Sequence, residues 1–134
     1  MAIDYSKSLE LLQKTVHEAL YDELVAQLQK DFVLANINVD LMVGIDSSDL
    51  CKVLHEKVYY LIMERFSEYL NLLYVIDVPE RDFKKINVTD VVDVAEQVTH
   101  LILEREHQKV WLKSHYSWTD WKLGFIVLVK LHFS

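Results

Sequence analysis

His100, Glu104 and His107 stand four and three residues apart, and Trp111 follows four residues later. On an α-helix these spacings place the polar three on one side. Two imidazoles and a carboxylate are donors of the kind that hold zinc, iron or manganese. The question is which face of the helix carries them. On a helical wheel centred on His100, Val91, Val98 and Ile102 fall on the opposite side, while Asp93, Glu96, Gln97, Glu104 and His107 gather around His100. The triplet therefore belongs to the polar face. It is expected to be solvated, with no stoichiometric metal and no cofactor.

The pair Glu104-x-x-His107 is the unit that ferritin-like di-metal proteins carry in duplicate. It occurs once in this chain, so half of that ligand set is missing. Cys51 and His55 are four apart on one side of a second helix, the proximity a thiol–imidazole nucleophile pair needs. No orienting group accompanies them, and a buried cysteine beside a boundary histidine is the preferred reading. Arg65 falls among Leu54, Val58, Ile62 and Tyr69, and Arg105 and Lys109 interrupt the apolar side defined by Val91, Val98 and Ile102. Such bases either snorkel or pair with acids, for which Glu68, Glu104 and Glu106 are candidates. Alternatively Arg65, Arg105 and Lys109 line a small anion-binding pocket. Trp111, Trp118 and Trp121 are candidate interface aromatics, and Val127 and Leu131, on a second apolar stripe of the last segment, are further candidate interface residues. No Gly-rich phosphate loop, serine elbow or paired-cysteine metal motif is present.

The bulk properties narrow the classes further. The chain has 134 residues with a net charge of -7 and a single cysteine. That composition suits one cytoplasmic domain spanning 1–134, without an intrachain disulfide. A nucleic-acid partner needs a basic face, and the local cluster Arg81, Lys84 and Lys85 alternates with Glu80 and Asp82. No apolar run reaches the length of a membrane span.

Two glycines and one proline suit long helices better than an all-β fold. The first helix is expected over about 8–34, with the stripe Leu9, Leu12, Val16, Leu20, Leu24, Leu28 and Phe32. Repeated steps of four carry that stripe roughly half a circle round the helix, so the helix must bend or its ends must meet different partners. A connector at 35–46 follows, with Leu41, Met42 and Ile45 tucked in. The second helix starts at the capping run 46–49 and runs to about 74, with the stripe Leu50, Leu54, Val58, Ile62, Phe66, Tyr69 and Leu73. Pro79 ends it and opens a short helical turn over 79–86. The third helix begins after Asn87 or Thr89, with Asn87 and Asp90 resembling a capping box, and ends near His115. After SWTDW, the order Trp118, Trp121, Phe125, Leu128, Val129 favours a helix over a strand, and Leu123, Val127 and Leu131 form a second stripe opposite the first.

The expectation is thus an all-α, compact four-helix bundle-like domain with a short extra helical turn near 79–86. Its expected role is non-enzymatic: an interaction or structural protein, self-associating as a homodimer, with no nucleic-acid or membrane partner. The alternative is a small-ligand or anion sensor.

Overall fold

The structure, a computed structural model, describes residues 4–115. Six helices lie within them: α1 (Ser6–His17), α2 (Tyr21–Leu34), α3 (Ser47–Glu64), α4 (Phe66–Ile76), α5 (Glu80–Phe83) and α6 (Val91–His115). The described residues hold no strand, and none of their helices is long and apolar enough to cross a membrane. The protein is all-α, with α6 packed against α1, α2, α3 and α4. The segment after SWTDW, with Trp118, Trp121, Val127 and Leu131, lies outside the described residues.

The first expected helix is two. α1 stops at Ala19, whose φ of 59° is left-handed, and α2 starts two residues later. The Ala19 amide donates to the Val16 carbonyl and the Leu20 amide to the Thr15 carbonyl, both at 3.0 Å. This pairing is a Schellman ending, which satisfies the last carbonyls of a helix. The same pattern recurs twice. Asn36 (φ 59°) ends α2, with Ile37 donating to Phe32, and Asp77 (φ 68°) ends α4, with Val78 donating to Leu73. In each case the residue after the left-handed position is apolar and buried: Leu20, Ile37 and Val78. Their carbonyl partners Thr15, Phe32 and Leu73 are buried as well. Burial on both sides of the reversal holds a non-glycine residue in αL against a steric cost of about 1 kcal/mol.

The break changes which residues of α1 face inward. Its buried positions are Ser8, Leu12 and Thr15, whereas Leu9 and Val16 are exposed. The rotating stripe ends with the helix, so the expected bend becomes a break. In α2, Leu24, Leu28 and Phe32 are fully buried as the spacing implied. The second expected helix also divides, at Arg65 (φ −143°, ψ 59°). Asp46 caps α3 through a 2.8 Å bond from the Asp49 amide, and Leu50, Leu54 and Val58 are fully buried. Past the break the register shifts: Phe66 is 55% exposed, while Tyr69 and Leu73 remain buried. In the 35–46 connector Leu41 and Ile45 pack on the core, but Met42 is exposed. Pro79 immediately precedes α5. The cap of α6 is Asp90, which accepts the Asp93 amide at 2.8 Å, three residues later than the Asn87 expectation. Asn87 is held instead by the Gln97 side chain, which accepts its amide and donates to its carbonyl.

Ala19 is exposed, so losing its methyl leaves no cavity. Ala19→Gly should raise stability by at most about 0.5 kcal/mol, since glycine relieves about 1 kcal/mol of left-handed strain but gains unfolded-state freedom. Urea midpoints of the two proteins measure this. A destabilised variant would show that the left-handed strain on alanine is smaller than the entropy glycine costs.

Candidate interaction surface

The histidine triplet is only partly open to solvent: the Glu104 side chain is 46% exposed, while the two histidines are mostly covered. α1 covers that side of α6. His100 Nδ1 lies 3.3 Å from the hydroxyl of buried Ser8, and its Nε2 lies 3.2 Å from Glu104. His107 Nε2 meets Glu18 at 2.7 Å, with only 12% of the His107 side chain exposed. Glu18 sits at the break between α1 and α2, so this contact fastens the break to α6. The wheel located the polar face of α6 correctly. It could not show that α6 is central, so that its polar face is partly covered too. Among the described residues no group of three or more His, Cys, Asp or Glu side chains is arranged to hold a metal ion.

Arg65, Arg105 and Lys109 are not brought together. Arg65 sits exposed at the α3–α4 break, beside Tyr60 and Glu68. Its expected place on an apolar face depended on an unbroken helix. Arg105 pairs with Asp77 at 3.0 Å and donates to Gln108 at 3.2 Å. The Lys109 ammonium donates to Asp31 at 2.5 Å and to the Ile76 carbonyl at 3.1 Å, and lies 2.6 Å from Glu106.

Glu106, Lys109 and Asp31 form a buried cluster, with Glu106 fully buried and Asp31 nearly so. Lys109, 2.6 Å from Glu106 Oε1 and also bonded to Asp31 and Ile76, favours the ionised form of Glu106, but burial outweighs it. Burial, reinforced by the neighbouring Asp31 carboxylate, pushes the Glu106 carboxyl up to about 8. Glu106 is therefore protonated at neutral pH, and the cluster carries one negative and one positive charge. Gln27 adds a 3.1 Å bond to Asp31. The cluster joins α2, the end of α4 and α6.

Of the candidate acids Glu68, Glu104 and Glu106, Glu106 does lie beside Lys109, but the partners Asp31 and Asp77 are not among them. A signal for Asp31 exists. It lies seven residues after Leu24 and three after Leu28, on the buried stripe of α2.

Cys51 is fully buried, and burial pushes its thiol up to about 11. His55 is buried rather than at a boundary. Its Nε2 faces the Val92 carbonyl at 2.9 Å and must donate, so Nδ1 accepts from the Tyr5 hydroxyl at 2.8 Å. Both ring nitrogens are engaged away from the thiol, and the pair is structural.

The surface left open is apolar. Phe66, Leu70 and Tyr74, spaced by four along α4, are 55%, 52% and 83% exposed. They border a groove of about 500 Å³ completed by Phe83, Ile86, Val88 and Val94, with Glu80 its one charged member. A larger groove of about 760 Å³ lies between residues 39–46 and α3, but Asp40, Asp46, Asp49, Glu56, Lys52 and Lys57 line it. Arg65, Arg105 and Lys109 line neither. Trp111 is half-buried and stacks on His115, with ring centroids 3.8 Å apart.

No known family model matches the chain, and no curated protein or solved structure is significantly similar to it.

The Glu106 carboxyl titrates higher folded than unfolded, where it has its ordinary value near 4.5. Its protonated form therefore stabilises the fold fully below pH 4.5, and this contribution is lost as pH rises through about 8. The slope across that window is at most about 1.4 kcal/mol per pH unit. Glu106→Gln mimics the neutral acid and should flatten the pH dependence, gaining on the parent protein from about pH 4.5 upward and holding a constant advantage above about pH 8. Thermal melts of both proteins from pH 5 to 9 test this, because all other titrating groups are common to the two. Parallel curves would place the Glu106 pKa elsewhere.

Proposed function

We propose that this is a non-enzymatic, cytoplasmic interaction protein that self-associates. The observation carrying the reading is the exposed stripe Phe66, Leu70 and Tyr74 beside an apolar groove. Contiguous apolar surface of this kind is usually covered in the working protein. The sequence beyond His115 adds two more stripes: Trp118, Trp121, Phe125, Leu128 and Val129 on one side, and Leu123, Val127 and Leu131 on the other. Two of the three apolar faces can cover each other. The third needs another chain, and a second copy related by a two-fold axis is the simplest cover. The chain's acidity and the engagement of its central bases with carboxylates favour a protein partner over nucleic acid or a bound anion. The burial of Cys51 and His55, with both His55 ring nitrogens hydrogen-bonded elsewhere, supports a non-enzymatic role.

Light scattering at micromolar concentration should give the mass of a dimer. Val127→Glu and Leu131→Glu should each return it to a monomer while leaving far-UV helicity largely unchanged. A monomeric parent protein removes the self-association reading. Variants that unfold would place this stripe inside the domain's own core.

A further inference from the structure

We propose that the occupant of the α4 groove is the chain's own C-terminal segment, residues 118–129, docking in cis through Trp118, Trp121, Phe125 and Val129. The inference rests on reading the α4 face as a covered surface.

The path of the chain supports it. Phe66 and Tyr69 border the groove with Val94, while Lys109 reaches the Ile76 carbonyl and Arg105 reaches Asp77. α4 and α6 therefore run side by side in the same direction. His115 lies six residues beyond Lys109, which is about 9 Å past the end of α4. The stripe from Tyr74 back to Phe66 spans a further 12 Å or so. With the 3 Å or so from Ile76 to Tyr74, a segment that reverses after His115 must travel about 24 Å to reach Phe66, the length of roughly sixteen helical residues. The 19 residues from 116 to 134 supply that run and a short reversal.

The chemistry also fits. The groove is apolar, and the first stripe of the segment contains no charge. Exposed Glu64 and Glu68 flank Phe66 at one end of the groove, with Arg65 between them, and Glu80 lines the groove itself. The segment brings Lys122 and Lys130 against a single acid, Asp120. Its tether favours cis over trans, because a short link gives a local concentration of about a millimolar, far above that of a second copy. The stripe Leu123, Val127 and Leu131 then faces away and remains available to another chain.

Disulfide trapping tests the arrangement in the full-length protein. Leu70 is exposed, so Leu70→Cys does not threaten the fold, and Cys51 stays in place because it is buried with its thiol held near 11. Leu70→Cys is combined with Phe125→Cys in one variant and with Val129→Cys in a second, covering one turn of register. Each is oxidised with copper phenanthroline at micromolar concentration and run on a non-reducing gel with intact-mass analysis. The expected result is that most chains of at least one variant carry an intrachain disulfide and run as monomers. Crosslinks found only between chains, or none in either variant, overturn the proposal. Light scattering before oxidation separates the two readings. An intrachain crosslink in a monomeric protein keeps the docking and removes self-association, and a dimer without that crosslink does the reverse.

Discussion

Lys109 meets Asp31 in the interior, and the rest of the architecture is arranged around that contact. Placing an ammonium and a carboxylate out of water is costly unless each is paired and hydrogen-bonded. Here Lys109 is satisfied by Asp31 and by the last carbonyl region of α4, and Gln27 adds a second donor to Asp31. Three helices are thereby held at one point. Glu106, fully buried beside them, would add an uncompensated negative charge, and its proton removes that problem. A purely apolar cluster could fill the same volume with less penalty. What the ionic arrangement adds is register, since α2, α4 and α6 satisfy it only at one axial alignment.

That alignment depends on where the helices stop. The chain has two glycines, yet α1, α2 and α4 each end in a left-handed residue, at Ala19, Asn36 and Asp77. Burial of Leu20, Ile37 and Val78 just after those residues offsets the strain. Two of the endings also join the polar framework. Glu18, beside Ala19, is gripped by His107, and Asp77 itself pairs with Arg105. Endings and polar contacts thus support each other: the left-handed turn brings the acid to α6, and the base on α6 holds the turn.

The same packing explains why one apolar surface is left over. α6 packs against four helices, so its polar face too is partly covered, by α1 at His100 and His107. α4 lies on the outside, and the break at Arg65 rotates Phe66 out of the core while Tyr69 and Leu73 stay in. The outcome inverts ordinary expectation, with ionisable groups at the centre and an aromatic-rich stripe at the surface. The stripe stands beside a formed apolar groove whose one charged lining residue is Glu80.

Much of this was legible in the amino-acid order. The all-α class, the capping of α3 by Asp46, the connector at 35–46, the turn after Pro79 and the core positions Leu24, Leu28, Phe32, Leu50, Leu54, Val58, Val98 and Ile102 follow from caps and periodicity. These are local properties, set by residues three or four apart. The two helix breaks left weaker traces, because Ala19 and Arg65 are not residues that ordinarily stop a helix. The role of each polar group was settled only in three dimensions. Arg105 finds Asp77 across 28 positions, Lys109 finds Asp31 across 78 and His107 finds Glu18 across 89. Periodicity shows which side of a helix a residue occupies. It carries no information about which distant segment folds onto that side, and that alone separates a solvated face from a buried charge cluster.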